Sequence, residues 1–233
     1  IWLLSKKLKK KSLCIVDSWV NFEHRFNRKS YPNNIILPNK NFNKKILYNL
    51  KNRSKIYYLG NPSLEKYSKM KFKKNNNKIL FLTSRQKNSL DFKLIKELSE
   101  KYNNHEILIK IHSKDQNRNW VNYLKSENNR KIKISNSSLE LLLKKADYIF
   151  GVYTMGLLAS IIAGKKTFVY FNYKIKQDYL NFLLKKYAYL VTYKSIYRKN
   201  LDTFKVKKFK EGDIYKNSKK KIIKLINDIS YTN

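Results

Sequence analysis

From residue 77 onward, the sequence alternates short apolar segments, rich in β-branched and aromatic residues, with segments of helical pattern. The apolar segments lie at residues 78–83, 106–111, 131–134, 148–152, 167–171 and 190–193. The helical patterns lie at residues 90–102, 120–126, 138–145, 155–163, 175–187 and 218–230. Strands that alternate with helices in this way form parallel sheets covered by helices on both faces. We therefore predict an α/β fold with a doubly wound, Rossmann-like parallel sheet, in which ligands bind where the strands end.

The residues before this region show a shorter version of the same pattern. It consists of strands at 13–17 and 55–59, an extended segment at 34–37 and a helix at 43–49. These strands are too few for a complete α/β sheet, and the Lys/Asn-rich composition that follows them is typical of a linker. We expect residues 1–67 to be the last part of an α/β domain whose beginning lies outside this sequence, residues 68–77 to be a linker and residues 78–233 to be a second α/β domain. The sequence leaves open whether the terminal helix crosses back to the first domain.

The chain is strongly basic, with a formal net charge of +36, and only seven of its 52 basic residues are arginine. Base recognition favours the planar arginine fork over the lysine ammonium group, so this composition disfavours specific nucleic-acid binding. Two interpretations of the charge stay open. The lysines form a solvated surface that reflects A+T-rich codons, or the runs at residues 6–11 and 205–221 contact an anionic partner such as a membrane surface or a polyanion.

The chain has one cysteine, Cys14, and three histidines. A single cysteine cannot form an internal disulfide, which excludes stapled secreted scaffolds and fits a reducing compartment. Neither Cys14 nor the histidines His24, His105 and His112 show the spacing of metal ligands, so we expect no metal and no separate cofactor. The longest uncharged segment, residues 148–164, is shorter than the roughly 20 residues of a membrane helix.

Polar residues follow the first two strands of the predicted second domain. Thr83, Ser84 and Arg85 come directly after the first strand, where we expect free backbone amides near a helix start. Such a cluster either binds phosphate or caps and turns the chain. Lys110 and His112 end the second strand on the same edge, where histidine either contacts a diphosphate and protonates a leaving oxygen or serves as a structural hydrogen-bonding group.

Two further strand ends carry candidate anion-binding residues. Ser137 and Ser138 precede a helix with Glu140 in its first turn, which resembles a capping signature. Tyr153, Thr154 and Met155 lie where the next strand meets a helix. The unpaired amides of a helix N-terminus and the Thr154 hydroxyl then face one point, and we favour an anion site there.

The segment after the first strand of the chain is dense in polar and aromatic residues. It includes Asp17, Trp19, Asn21 and Arg25. The segment is either a hydrogen-bonded loop between domains or part of a substrate site.

Three segments, taken in order, resemble the GT-B glycosyltransferase superfamily, especially bacterial surface-polysaccharide and sialyltransferase-like members. Residues 56–62, which end in Gly60, Asn61 and Pro62, look like the V-x-G-N-P crossing between the two domains. Residues 110–113 are similar to the strand followed by His-Pro, with serine in place of proline. Residues 151–165 look like the G-x-x-S-x-x-x-x-E-A-x-x-x-G-K helix of the donor site, with Ala159 in place of the glutamate.

The resemblance implies a GT-B-like, cytoplasmic enzyme that transfers a sugar from a nucleotide-sugar donor to a glycan or lipid-linked acceptor at the cell surface. It places the donor on the second domain, with Thr154 and nearby amides on phosphate and His112 facing the diphosphate or leaving group. It places the acceptor on the first domain, the residues around Gly60 in the cleft between domains, and the enzyme in the cytoplasm or at the inner face of the membrane. A nucleotide-sugar epimerase of the same fold and a non-catalytic polyanion or nucleic-acid-binding protein remain as alternatives.

Overall fold

A computed structural model describes residues 2–19, 31–42, 44–72, 77–84, 88–113, 115, 117–127, 129–170, 178–192, 195 and 200–231. The chain divides into two compact units. The first comprises residues 1–66, 178–180 and 210–233, and the second comprises residues 67–177 and 181–209. The terminal helix therefore groups with the first unit. Residue 67, which was predicted to end the first domain, and residues 68–72, which were predicted to lie in the linker, group with the second unit and include part of a 3₁₀ helix at Lys66–Lys69.

The first unit is built on a small parallel sheet with the strand order β1-β2-β3. Its elements are α1 (Trp2–Lys7), β1 (Leu13–Ile15), β2 (Asn34–Leu37), α2 (Lys44–Lys51), β3 (Lys55–Tyr58), α3 (Pro62–Glu65), a 3₁₀ turn (Gly212–Ile214) and the terminal helix α9 (Ser218–Tyr231). The central strand β2 is buried along its whole length, and its Ile35 and Leu37 pack with Leu47 and Leu50 of α2. The pattern of strands and α2 agrees with the sequence prediction, whereas α1 was not predicted.

The second unit contains a six-stranded sheet in which all pairs are parallel. Its elements are β4 (Lys78–Leu82), α4 (Asn88–Lys101), β5 (Glu106–Lys110), α5 (Asn117–Glu127), β6 (Ile132–Ile134), α6 (Leu139–Lys145), β7 (Tyr148–Gly151), α7 (Met155–Ile162), β8 (Lys166–Tyr170), α8 (Tyr179–Tyr187), whose first turn groups with the first unit, β9 (Tyr189–Val191) and a 3₁₀ turn (Leu201–Thr203). The strand order is β6-β5-β4-β7-β8-β9. This order confirms the predicted doubly wound sheet. Successive strands are added on one side of β4 as far as β6 and on its other side from β7 onward, so the switch point lies between β4 and β7.

The central strands form because their residues are apolar on both faces. Ile79 and Phe81 of β4 are buried in one core cluster, and the alternate residues Leu80 and Leu82, which lie on the opposite face, are buried as well. A strand covered by helices on both sides needs such continuous hydrophobic runs rather than alternating ones. The buried core thus fixes the sheet and the positions of its strand ends.

The helix α7 is almost entirely apolar and buried from Leu157 to Ile162. It ends at Gly164, whose positive φ of 78° suits glycine at a helix C-terminus. Although α7 is hydrophobic, none of the helices within the described ranges is long and apolar enough to cross a bilayer.

Candidate functional site

The carboxyl ends of β4 and β7 lie next to each other at the switch point of the second unit's sheet. Leu82 and Gly151 are register partners there. A Cβ atom on Gly151 would lie only 2.7 Å from the carbonyl oxygen of Leu82. Glycine is therefore required for space, because any side chain would collide with the neighbouring backbone. In a sheet of this kind, the switch point is where a crevice for ligands opens.

Thr83 connects the ends of β4 and β5. Its side chain is buried, and its hydroxyl accepts a hydrogen bond from the backbone N–H of His112 at 2.8 Å. The same hydroxyl donates to Asp115 Oδ2 at 3.4 Å, while the Thr83 N–H donates to the carbonyl of Lys110 at 3.2 Å. The predicted neighbours Thr83, Lys110 and His112 are thus brought together, with Lys110 and His112 half-buried.

The amides that the sequence predicts to be free at this strand end are engaged within the unit. The Ser84 N–H donates to Asp91 Oδ2 at 3.1 Å, and both residues are buried. The prediction of free amides is therefore wrong for Thr83 and Ser84, since both donate to acceptors of the unit itself. Arg85, the third residue of this predicted cluster, lies outside the described residues.

Asp91 was not singled out in the sequence, yet it is completely buried in the first turn of α4. Burial raises the pKa of its carboxyl to about 7, and the nearby charge of Asp115 adds to this rise. The Ser84 N–H and hydroxyl oppose the rise in pKa, but they do not outweigh burial. The only available signal was an acidic residue shortly after a strand in a chain with few acidic residues.

Ser138 is the N-cap of α6, where its hydroxyl accepts from the Leu141 N–H at 3.3 Å. Ser137 is half-buried, and its N–H donates to the Ser135 hydroxyl at 3.3 Å. The capping interpretation of this segment is therefore the one that the contacts satisfy. A phosphate role for the two serines remains a prediction.

Thr154 is the N-cap of α7, and its hydroxyl accepts from the Gly156 N–H at 3.3 Å. Tyr153, Thr154 and Met155 are half-buried at the end of β7, on the same edge of the sheet as Thr83 and His112. The positive end of the helix dipole lies at this edge, where it favours an anion. Ala159, at the position of the glutamate in the family pattern, is buried within α7.

The predicted residues of the first domain make structural contacts within the first unit. Trp19 is buried, and its indole N–H donates to Asn39 Oδ1 at 3.1 Å. The Asn61 amide donates to the Asp17 carbonyl, and its oxygen accepts from the Ser63 N–H to cap α3.

The turn before α3 depends on a glycine and a proline. Gly60 has a positive φ of 83°, and Pro62 occupies the first position of α3, where a missing N–H costs nothing. Asn21 and Arg25 lie outside the described residues. The placement of this group in a cleft between domains stays a prediction.

Within the described part of the chain, no group of three His, Cys, Asp or Glu side chains is arranged to hold a metal ion. The carboxyl edge of the second unit instead presents the half-buried residues His112, Lys110 and Asp115, the N-terminus of α7 and the buried carboxyl group of Asp91. Such a set can bind an anion and shift a proton, but it offers no cluster of metal ligands.

Comparison with known proteins identifies structural neighbours. A UDP-GlcNAc 2-epimerase of Methanocaldococcus jannaschii, solved with UDP-GlcNAc and UDP, matches 97% of this chain and 71% of its own with 18% identity and a TM-score of 0.58. The match with MnaA of S. aureus, solved with UDP, covers 99% of this chain and 71% of MnaA, with 13% identity and a TM-score of 0.64. The match with the wall teichoic acid polymerase TagF, solved with CDPG, covers 94% of this chain and 64% of TagF, with 15% identity and a TM-score of 0.54.

No protein-family model matches the chain, and no curated protein matches it in sequence. At identities below a fifth, the structural matches establish the fold. The chain shares the GT-B-like α/β fold of these structures, which confirms the fold that the sequence resemblance implied.

Proposed function

We propose that this chain is a glycosyltransferase that moves a sugar from a nucleotide-sugar donor to a cell-surface glycan acceptor. The observation that carries the proposal is the convergence of Thr83, His112 and Thr154 at the carboxyl edge of a doubly wound parallel sheet. Ligands of such sheets bind outside this edge, close to the switch point between β4 and β7. The neighbours solved with UDP, UDP-GlcNAc and CDPG support a nucleotide sugar as the ligand class.

Different residues of the second unit contribute different interactions to donor binding. The N-terminus of α7, which Thr154 caps, offers a positive dipole end to the diphosphate. Lys110 adds a positive charge at the neighbouring strand end, and His112 contacts the diphosphate or donates a proton to the leaving oxygen. The first unit would then bind the acceptor.

An epimerase acting on a nucleotide sugar is the second candidate, because UDP-GlcNAc 2-epimerases are among the structural neighbours. The two reactions differ in what they consume. An epimerase converts the donor with no acceptor present, whereas a transferase releases the nucleotide in proportion to the glycan that it extends. Incubating the chain with UDP-GlcNAc, with and without a glycan or lipid-linked acceptor, and analysing the products by chromatography separates them.

The net charge of +36 keeps a non-catalytic polyanion binder as a third candidate. Binding of this kind weakens steeply with added salt, since each neutralised phosphate releases counterions. The same lysine runs, at residues 6–11 and 205–221, are our proposed sites of peripheral contact with an anionic membrane.

Substitution at the helix N-terminus tests the donor site. We expect Thr154→Ala to weaken nucleotide diphosphate binding about tenfold, because the cap that orders the α7 amides is lost. Thr154→Ser keeps the hydroxyl and should retain most of the affinity. Isothermal titration of both variants with UDP and CDP measures the difference, and equal affinities in the two would remove Thr154 from the site.

Substitution at His112 tests the second strand end independently. We expect His112→Ala to weaken diphosphate binding about tenfold through loss of a charge-assisted hydrogen bond. His105→Ala is the matched control, since His105 precedes β5 at the opposite end of that strand. A loss of affinity in the control that matched the loss in His112→Ala would contradict the assignment.

A further inference from the structure

We propose that Asp115 and Thr83 are positioning residues that fix His112 in the donor site, and that Thr83 is not itself a phosphate ligand. The contacts that hold His112 lie within the second unit and do not depend on the function of the protein. Their effect on donor binding rests on the proposed function. Asp115 belongs to none of the motifs that the sequence offers.

The backbone of His112 is held from both sides. Its N–H donates to the Thr83 hydroxyl at 2.8 Å, and its carbonyl accepts from the Asp115 N–H at 2.8 Å, which closes a turn. His112 is therefore fixed by the end of β4 on one side and by this turn on the other. Little freedom is left to its backbone.

The Asp115 carboxylate sets the direction of the Thr83 hydroxyl. A hydroxyl has one proton, and Oγ1 of Thr83 uses a lone pair to accept from His112. The proton is left for Asp115 Oδ2, the acceptor at 3.4 Å, a distance longer than is usual between two hydrogen-bonded oxygens. Asp115 thus orients the hydroxyl that holds the backbone of His112.

Asp115 is in turn anchored to the core of the unit. Its Oδ2 also accepts from the indole N–H of Trp120 at 3.0 Å, and Trp120 is completely buried. The indole packs edge-on against Phe92 at 4.7 Å between ring centroids, and Phe92 stacks on Tyr123 at 4.3 Å. The position of His112 is therefore coupled to side chains that cannot move independently.

Stability alone does not account for this arrangement. Asp115 lies close enough to the buried Asp91 that its charge disfavours ionisation of Asp91. Two carboxyl groups held close together at the carboxyl edge of the sheet lower the stability of the fold. A cost of this kind is typical of groups retained for their effect on a site.

The test compares four variants of the full chain. Thr83→Val removes the hydroxyl at constant shape and Asp115→Ala removes the carboxylate, whereas Thr83→Ser and Asp115→Asn each keep an oxygen in place. We expect the first two to weaken UDP or CDP binding about fivefold to tenfold, as the loss of one buried hydrogen bond predicts, and the second two to restore most of the affinity. Thr203→Val makes the same chemical change at a hydroxyl that bonds only the Asn200 carbonyl among the described contacts, and serves as the control.

A second measurement does not depend on any ligand. In the unliganded protein, Thr83→Val should speed hydrogen exchange of the His112 amide and shift the His112 imidazole signals, while the signals of His105 stay in place. If His112 exchange and signals are unchanged in both Thr83→Val and Asp115→Ala, the positioning role is wrong. If these signals change but the wild-type chain binds no nucleotide, the positioning role stands and the proposed function fails. If they change and nucleotide binds equally well in all variants, positioning has no role in binding and the inference is overturned.

Discussion

Replacing Gly151 by alanine is expected to lower the free energy of unfolding by about 3 kcal/mol, because the new Cβ atom collides with the backbone of β4. The ideal position of that atom is 2.7 Å from the Leu82 carbonyl oxygen, well inside contact distance. A backbone carbonyl in a central, fully buried strand cannot turn away as a side chain can. The collision should also separate the strand ends at the switch point and weaken nucleotide binding. Urea denaturation of the full chain, followed by circular dichroism, measures the first effect.

Gly156→Ala is the matched control, since it adds the same methyl group five residues further on. Its nearest neighbour is Leu82 Cδ1 at 3.0 Å, the end of a flexible side chain that can move by a few tenths of an ångström. The helix propensity of alanine, up to about 1 kcal/mol better than that of glycine, offsets the contact. We expect this variant to stay within about 1 kcal/mol of the wild type. Equal unfolding free energies for the two variants would contradict the close packing of β4 and β7.

The second large effect is a dependence of stability on pH that comes from Asp91. Burial raises the pKa of its carboxyl from 3.8 to about 7, so the folded chain retains a proton that the unfolded chain releases at lower pH. The unfolded state then binds fewer protons than the folded state between these two values, and stability falls as pH rises from about 4 to about 7. The full contribution is at most about 4 kcal/mol, at 1.36 kcal/mol for each unit of pKa.

Asp91→Asn isolates this contribution, because the amide oxygen can still accept from the Ser84 N–H but the side chain no longer titrates. We expect the variant to gain stability relative to the wild type as pH rises through this window, and to be the more stable protein above pH 7. Burial lowers the pKa of His105, which gives a slope of the opposite sign, but the wild type and the variant share it. If the curves of unfolding free energy against pH were parallel for the wild type and Asp91→Asn, the pKa of Asp91 would not be raised in the folded chain.

The sequence predicts the architecture of the second unit because its strands and helices differ sharply in periodicity. The runs around Phe81 and Phe150 are short, β-rich and followed by polar residues, as buried parallel strands require. The helix start at Met155 was also predicted, because an apolar segment of helical composition follows the β-rich run there, whereas the role of Thr154 as the N-cap was not. The identity of α1 was not predicted, because its six residues carry too little periodicity.

The details of the site depend on which strands become neighbours, and sequence order does not give that directly. Thr83 and His112 are 29 residues apart and meet only because β4 and β5 pair in one particular register. The roles of Asp91 and Asp115 follow from their contacts beside those strand ends, which no local pattern encodes. The space constraint at Gly151 likewise arises from Leu82, on a strand that pairs with β7 across the switch point.

Whether the carboxyl edge of the second unit binds a nucleotide can be measured most directly by ligand-observed NMR on the full chain. Titrations with CMP, CDP, UDP and GDP, each repeated at physiological and at high salt, are compared with a short single strand of DNA. We expect saturable binding of one nucleotide that largely survives high salt and is lost in His112→Ala. Binding of DNA alone, abolished by salt, would contradict the proposed nucleotide site and favour a polyanion binder with the same fold.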